Sequence, residues 1–156
     1  MKQHSYAVQI RWTGNDGEGT KTYRSYRRDQ IVQSEGKPEI PASSDPSFRG
    51  DPSRYNPEEF LVAALSSCHM LAYLHLCAVN NVVVVAYTDS ASGVMEERPG
   101  GSGAFVSALL RPRVTIADGS DLEKARALHH DAHEKCFIAN SVNFAVEVEP
   151  EIVAGG

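Results

Sequence analysis

The sequence predicts an α+β fold, a mostly antiparallel sheet covered by two helices, and three observations carry that prediction. Segments alternating apolar and polar residues, such as Tyr6, Val8, Ile10 and Trp12, have the two-residue period of half-buried strands. One long apolar stretch, Phe60 to Val79, opens on helix-start chemistry at Asn56-Pro57-Glu58-Glu59. A second helix is signalled by Ser120-Asp-Leu-Glu123, with the Ser/Glu spacing of a capping box. The resulting order is β-β-loop-α-β-β-α-β.

Each element has a local reason. A first strand is expected over Ser5–Trp12, a turn over Thr13–Gly19, and a second strand over Thr20–Arg27, together an N-terminal hairpin. Residues 28–55 are polar, hold four prolines and contain two short extended pieces near Ile31 and Ile40; they read as an irregular loop. Asn56 suits an N-cap, Pro57 the first helical position, and Glu58 and Glu59 complement the helix dipole. This helix is expected to end at Asn80-Asn81. Strands are expected over Val82–Met95 and Ala104–Ile116, joined by a Gly/Pro-rich turn at 98–103. The second helix is expected to reach about Cys136, and the last strand spans Val142–Val148. The chain reads as one domain, with a hairpin-and-loop segment over 1–55 and a helix-sheet core over 56–156.

Composition narrows the function. The 156 residues are 42% hydrophobic and 22% charged, ordinary for a folded domain. A net charge of −5 argues against a nucleic-acid partner, which needs a basic face. Three widely spaced cysteines, Cys68, Cys77 and Cys136, suit a reducing compartment rather than a disulfide scaffold. The N-terminal residues lack a signal peptide's apolar run, so the expected location is cytoplasmic. Phe60–Val79 has the length of a membrane span, but Ser66, Ser67, His69 and His75 interrupt it. A core helix is the expectation, and no membrane partner.

Cys68 lies mid-helix among small residues, with Ala64, Leu71 and Ala72 on its face. Those residues alone leave two readings open, a packed thiol and a reactive one, since a thiolate needs a nearby cation or helix terminus. The stretch Asn56-Pro57-Glu58 through Ser66-Ser67-Cys68 resembles the signature of the OsmC/Ohr family, in which NPE precedes the peroxide-reducing cysteine. His133-Glu-Lys-Cys136-Phe-Ile-Ala-Asn140 resembles the segment holding that family's resolving cysteine. The Trp12-x-Gly14 turn agrees.

The resemblance implies an OsmC-like fold in an intertwined homodimer that reduces organic hydroperoxides, with hydrogen peroxide as a second candidate substrate, and without a cofactor or metal. Cys68 would be oxidised to a sulfenic acid and Cys136 would resolve it, with a dithiol or lipoyl-type reductant closing the cycle. Glu58 and Arg49 would complete the site; Arg54 is the runner-up, and Arg24 or Arg27 are the choices if the arginine comes from the hairpin. Glu58 and Cys68 are ten residues apart on one helix, about 15 Å along its axis at the usual rise. Serving one peroxide together therefore requires Glu58 from a second subunit.

Three positions depart from the family pattern: His69 and Phe137 follow the two cysteines, and Cys77 is additional. A rival reading uses His129, His133 and Cys136 as a metal-binding face on the second helix, with His130, His69 and His75 in reserve. A non-catalytic ligand-binding protein of the same fold is the other rival.

Overall fold

The computed structural model describes residues 1–155. The chain forms two compact units, Met1–Phe60 and a second beginning at Leu61.

In the first unit, β1 (Gln9–Trp12), β2 (Gln30–Gln33) and β3 (Ile40–Ala42) form an antiparallel sheet in that order. The two extended pieces near Ile31 and Ile40 are thus real strands. The strand expected over Thr20–Arg27 does not form: the segment is turns and bends, and β1 pairs with β2 instead. Local side chains compete with the ladder. Asn15 Oδ1 accepts the amides of Gly17 and Gly19, Thr22 Oγ1 that of Arg24, and Ser25 Oγ that of Thr22, satisfying backbone groups without a partner strand. The long loop is tied at its base, where Trp12 Nε1 donates to Arg27 O at 2.8 Å and Arg27 N to Gly14 O at 2.9 Å. A Cβ on Gly14 would fall 1.8 Å from Arg27 O, so only glycine fits this closure.

The helix α1 (Pro57–Val79) begins where its sequence says it should. Asn56 Oδ1 accepts from Glu59 N at 2.9 Å, and Glu59 Oε1 accepts from Asn56 N at 3.3 Å, a reciprocal capping box. By length and apolarity α1 could cross a bilayer, with a mean hydropathy of 1.6. Its buried residues Leu65, His69, Tyr73, Leu76 and Cys77 form one stripe that packs into the protein core.

The second unit contains β4 (Val84–Asp89), β5 (Ser92–Arg98), β6 (Ser102–Leu110), β7 (Pro112–Ile116), β8 (Ala145–Val148) and β9 (Glu151–Ala154). They make two three-stranded sheets, β4-β7-β9 and β5-β6-β8. Four of the six pairings in the chain are antiparallel; β6–β8 and β7–β9 are parallel. Each long strand expected from the sequence is broken. Ala104–Ile116 breaks at Arg111, beside Pro112, which has no amide to donate. Asp89 Oδ1 accepts from Arg111 N at 2.7 Å, where the chain between β4 and β5 also leaves the ladder. The last strand resumes beyond Pro150 as β9, a segment with no expectation attached to it.

The helix α2 (Leu122–Lys135) is capped by Asp121, whose carboxylate accepts from Lys124 N at 3.0 Å, rather than by Ser120. Ser120 is occupied elsewhere, its Oγ accepting from Val83 N. Tyr73, Leu76 and Cys77 of α1 pack with Val114, Ala125 and Leu128 in the larger core cluster. Fully burying a leucine-sized side chain contributes about 2 kcal/mol, so this cluster anchors both helices against the β4-β7-β9 sheet.

Candidate active site

Helix α1 presents two different faces to its surroundings in the second unit. On one, Cys68 is half-buried at the wall of a cavity of about 670 Å³. Ala64, Leu71 and Ala72 line it from α1, as their spacing requires, and Lys135, Phe137 and Ile138 line it from the end of α2. The walls are almost wholly apolar, with Lys135 the charged residue among them. Phe137 is exposed.

Cys136 lies immediately beyond α2, at its C-cap, in an extended conformation with its amide donating to His133 O. The following turn is held by Asn140, whose Nδ2 donates to Glu134 O and Cys136 O, both at 2.9 Å. That bonding explains the asparagine in the second motif, for which sequence reasoning offered no role. Cys136 is 1% exposed, and its Sγ accepts from Ala139 N at 3.4 Å. Burial pushes its thiol pKa up, the Ala139 amide opposes this, and the adjacent Cys68 thiol raises it further. Cys68 and Cys136 are therefore neighbours, and both are free thiols. Cys77 is a buried core thiol whose pKa is also raised, chiefly by burial.

On its other face α1 carries a histidine that departs from the family pattern, joined to one from the rival metal face. His69 is 1% exposed, and its Nε2 lies 3.0 Å from Nδ1 of His129, itself 3% exposed. The His129 ring stacks on Tyr73 with centroids 3.7 Å apart, and Tyr73 Oη donates to Ala125 O at 2.8 Å. Burial drives both histidines toward the neutral form: His69 falls to about 4 and His129 to about 3. The signal was the stripe itself, because His69 lies four residues from both Leu65 and Tyr73.

The metal trio of the rival reading is not brought together. His129 Nδ1 is engaged by His69, and Cys136 adjoins Cys68. Among the described residues, the ligand atoms that converge within 4.8 Å belong to His130, Asp131 and Glu134, all exposed, with His130 Nε2 already 3.4 Å from Glu134.

Arg49 and Glu58 belong to the first unit. Arg49 is exposed and left-handed, φ 65°, closing the 3-10 turn Pro46–Phe48 with its amide on Pro46 O. Glu58 is half-buried in the first turn of α1. Neither side chain makes a hydrogen bond or ion pair among the described residues. Two of the alternatives to Arg49 are more committed, Arg54 pairing with Asp29 and Asp51 and Arg27 with Asp16 and Asp29, whereas the Arg24 side chain, like that of Arg49, makes no ion pair among the described residues.

An α+β fold with two adjoining free cysteines, Cys68 at an apolar cavity, defines a class of thiol protein, and comparison with known proteins names the family. A family profile described as OsmC-like protein matches residues 50–151. The chain belongs to the OsmC-like family. It is similar to the solved structure of an OsmC-like protein of unknown function from Vibrio cholerae, with 36% identity and a TM-score of 0.83 over 97% of this chain and 100% of that one. An organic hydroperoxide resistance protein from Legionella pneumophila shares the fold at 18% identity and a TM-score of 0.67, over 97% of this chain and 99% of that one. Another, from Elizabethkingia anophelis, does so at 19% identity and a TM-score of 0.67, over 99% and 100%. No curated protein matches the chain.

Proposed function

We propose that this protein is a two-cysteine peroxidase that reduces organic hydroperoxides in the cytoplasm. The observation that carries the reading is the Cys136 thiol beside Cys68 at a cavity whose walls suit an organic substituent. The Cys68 thiolate attacks the distal peroxide oxygen; the O–O bond breaks, the alkoxide takes a proton and leaves as an alcohol, and Cys68 becomes a sulfenic acid. Cys136 then attacks that sulfur, forming a disulfide and releasing water. An external dithiol of the lipoyl type returns both thiols, itself ending as a disulfide. Steady-state turnover of an alkyl hydroperoxide against hydrogen peroxide, with dihydrolipoamide as donor, tests the assignment. Dithiol-dependent turnover favouring the organic peroxide is expected; none with either substrate refutes it.

Arg49 is the cation assigned to the Cys68 thiolate, supported by its lack of a partner among the described residues. Arg49→Ala is expected to slow alkylation of Cys68 by iodoacetamide at pH 7 about tenfold, with Arg54→Ala near wild type. The reverse pattern would transfer the role to Arg54.

The active unit is proposed to be a homodimer. In the isolated chain only 28% of the apolar window of α1 is buried, which leaves apolar helix surface for a second copy to cover. The axial distance between Glu58 and Cys68 asks for Glu58 from that copy. Glu58→Ala and Cys68→Ser chains, each impaired alone, should then regain part of the wild-type turnover in isolated mixed dimers. Mixed dimers no better than either parent would confine Glu58 to the role of an acid in the first turn of its helix, complementing the helix dipole.

A further inference from the structure

The buried histidine pair joins the two helices that carry the two cysteines. His69 directly follows Cys68 on α1. His129 is seven residues before Cys136, almost two turns and about 10 Å along α2, so Cys136 leaves that helix on the face that His129 occupies. We propose that the His69–His129 hydrogen bond is a register pin: it fixes α2 along α1 so that Cys136 sits within disulfide reach of Cys68. These two histidines are positioning residues and touch neither substrate nor sulfur in the reaction. The proposal rests on the reading of Cys68 and Cys136 as a redox pair.

The surrounding contacts show why a pin is needed. Around the pair, Ala125, Leu128 and Ala132 of α2 share a core cluster with Tyr73, Leu76 and Cys77 of α1, apolar contacts that carry no direction of their own. The directional contacts between the helices here are the histidine pair and Tyr73 Oη on Ala125 O, and hydrogen bonds do not tolerate slippage of one helix along the other. The two nitrogens are 3.0 Å apart, and a shift of one residue, about 1.5 Å of rise with about 100° of rotation, would separate them. Both would then be buried without a partner and would carry their full desolvation penalty. Polar pairs in apolar helix interfaces are known to select register in this way. The pair also has no slack to re-form elsewhere, because the His129 ring is held face-on by Tyr73, which is itself bonded to the backbone of α2 at Ala125. A neutral pair suffices, one imidazole donating and the other accepting.

The consequence is read at the disulfide. In full-length protein equilibrated with glutathione, two thiols and one oxidised glutathione exchange for the Cys68–Cys136 disulfide and two reduced glutathiones. The equilibrium constant is the effective concentration of one cysteine at the other. His129→Phe keeps a ring on Tyr73 and deletes the bond. It is expected to lower the effective concentration about tenfold or more, as misplacement by an ångström or so does in other intramolecular reactions. His129→Asn places an amide near the lost Nδ1 and is expected to stay within about threefold of wild type. His69→Leu and His69→Gln repeat the comparison from α1, and serve alone if the His129→Phe protein does not fold. Thermal midpoints are measured alongside. Recovery by the amide variants without recovery of the thermal midpoint supports the pin. Equal effective concentrations in all variants, or losses that merely follow the midpoints, overturn it. Peroxide turnover is scored separately: a shifted disulfide equilibrium in a protein with no turnover rejects the peroxidase and keeps the pin, and normal turnover with an unshifted equilibrium does the opposite.

Discussion

Cys68→Ser is expected to reduce peroxide consumption to the uncatalysed background, and Cys136→Ser to consume about one equivalent and then stall. The difference follows from where each sulfur enters the cycle. A hydroxyl at position 68 cannot form a thiolate or hold the sulfenic oxygen, so the first step is lost with all that follows. A hydroxyl at 136 leaves that first step intact and removes only the internal nucleophile. Cys136 is buried and its thiol pKa is raised, chiefly by burial, so it is a poor thiolate in the reduced protein. This suits a resolving residue better than a primary one. Stopped-flow peroxide consumption with mass spectrometry of the trapped sulfenic acid reads both steps. Turnover by Cys68→Ser at the wild-type rate would remove the assignment, and a full catalytic cycle in Cys136→Ser without added thiol would remove the resolving role.

The parts of this protein that were legible in the sequence are those fixed by short-range chemistry. Asn56-Pro57-Glu58-Glu59 announced the start of α1, and the capping box there is formed by Asn56 and Glu59. The neighbourhood of Cys68 and Cys136, distant in sequence, was legible only through the resemblance of the two cysteine motifs to the family pattern, and the two thiols adjoin. What stayed hidden depends on partners distant in sequence. The segment 20–27 has strand-like residues, yet Ser25 and Thr22 bond their own backbone, and β1 finds β2 eighteen residues after its end at Trp12. The break at Arg111 is stabilised by Asp89, twenty-two residues earlier. Ser120 had the spacing of a cap, but Val83 claims its hydroxyl and Asp121 takes the role. His69 and His129 are sixty residues apart, and no periodicity within either helix joins them.

That histidine pair should also set how stability responds to mild acid. Both imidazoles are held neutral in the folded protein, His69 at about 4 and His129 at about 3, against about 6.5 in an unfolded chain. Burial is the first cause for both. His133 pushes His69 down further while Asp89 opposes it, and His69 and Arg126 add to the depression at His129. With folded values below the unfolded one, the stabilising contribution is fully present above pH 6.5. It is lost as pH falls toward the folded values, because the unfolded chain takes up protons that the native pair refuses. The loss is on the order of 3 kcal/mol per histidine once pH reaches 4, and a part of it is already visible at pH 5. Carboxylates contribute mainly below about pH 4.5, so the window from 6.5 to 4.5 isolates the histidines. Urea unfolding with and without the His69→Gln/His129→Asn double substitution across that window measures the difference directly. His4, His75 and His130 are common to both proteins and cancel, and His133, which is coupled to His69, is replaced in both (His133→Gln). The protein that keeps the pair should lose stability more steeply than the one without it as pH falls, and parallel curves would mean that the pair opens and protonates without unfolding the protein around it.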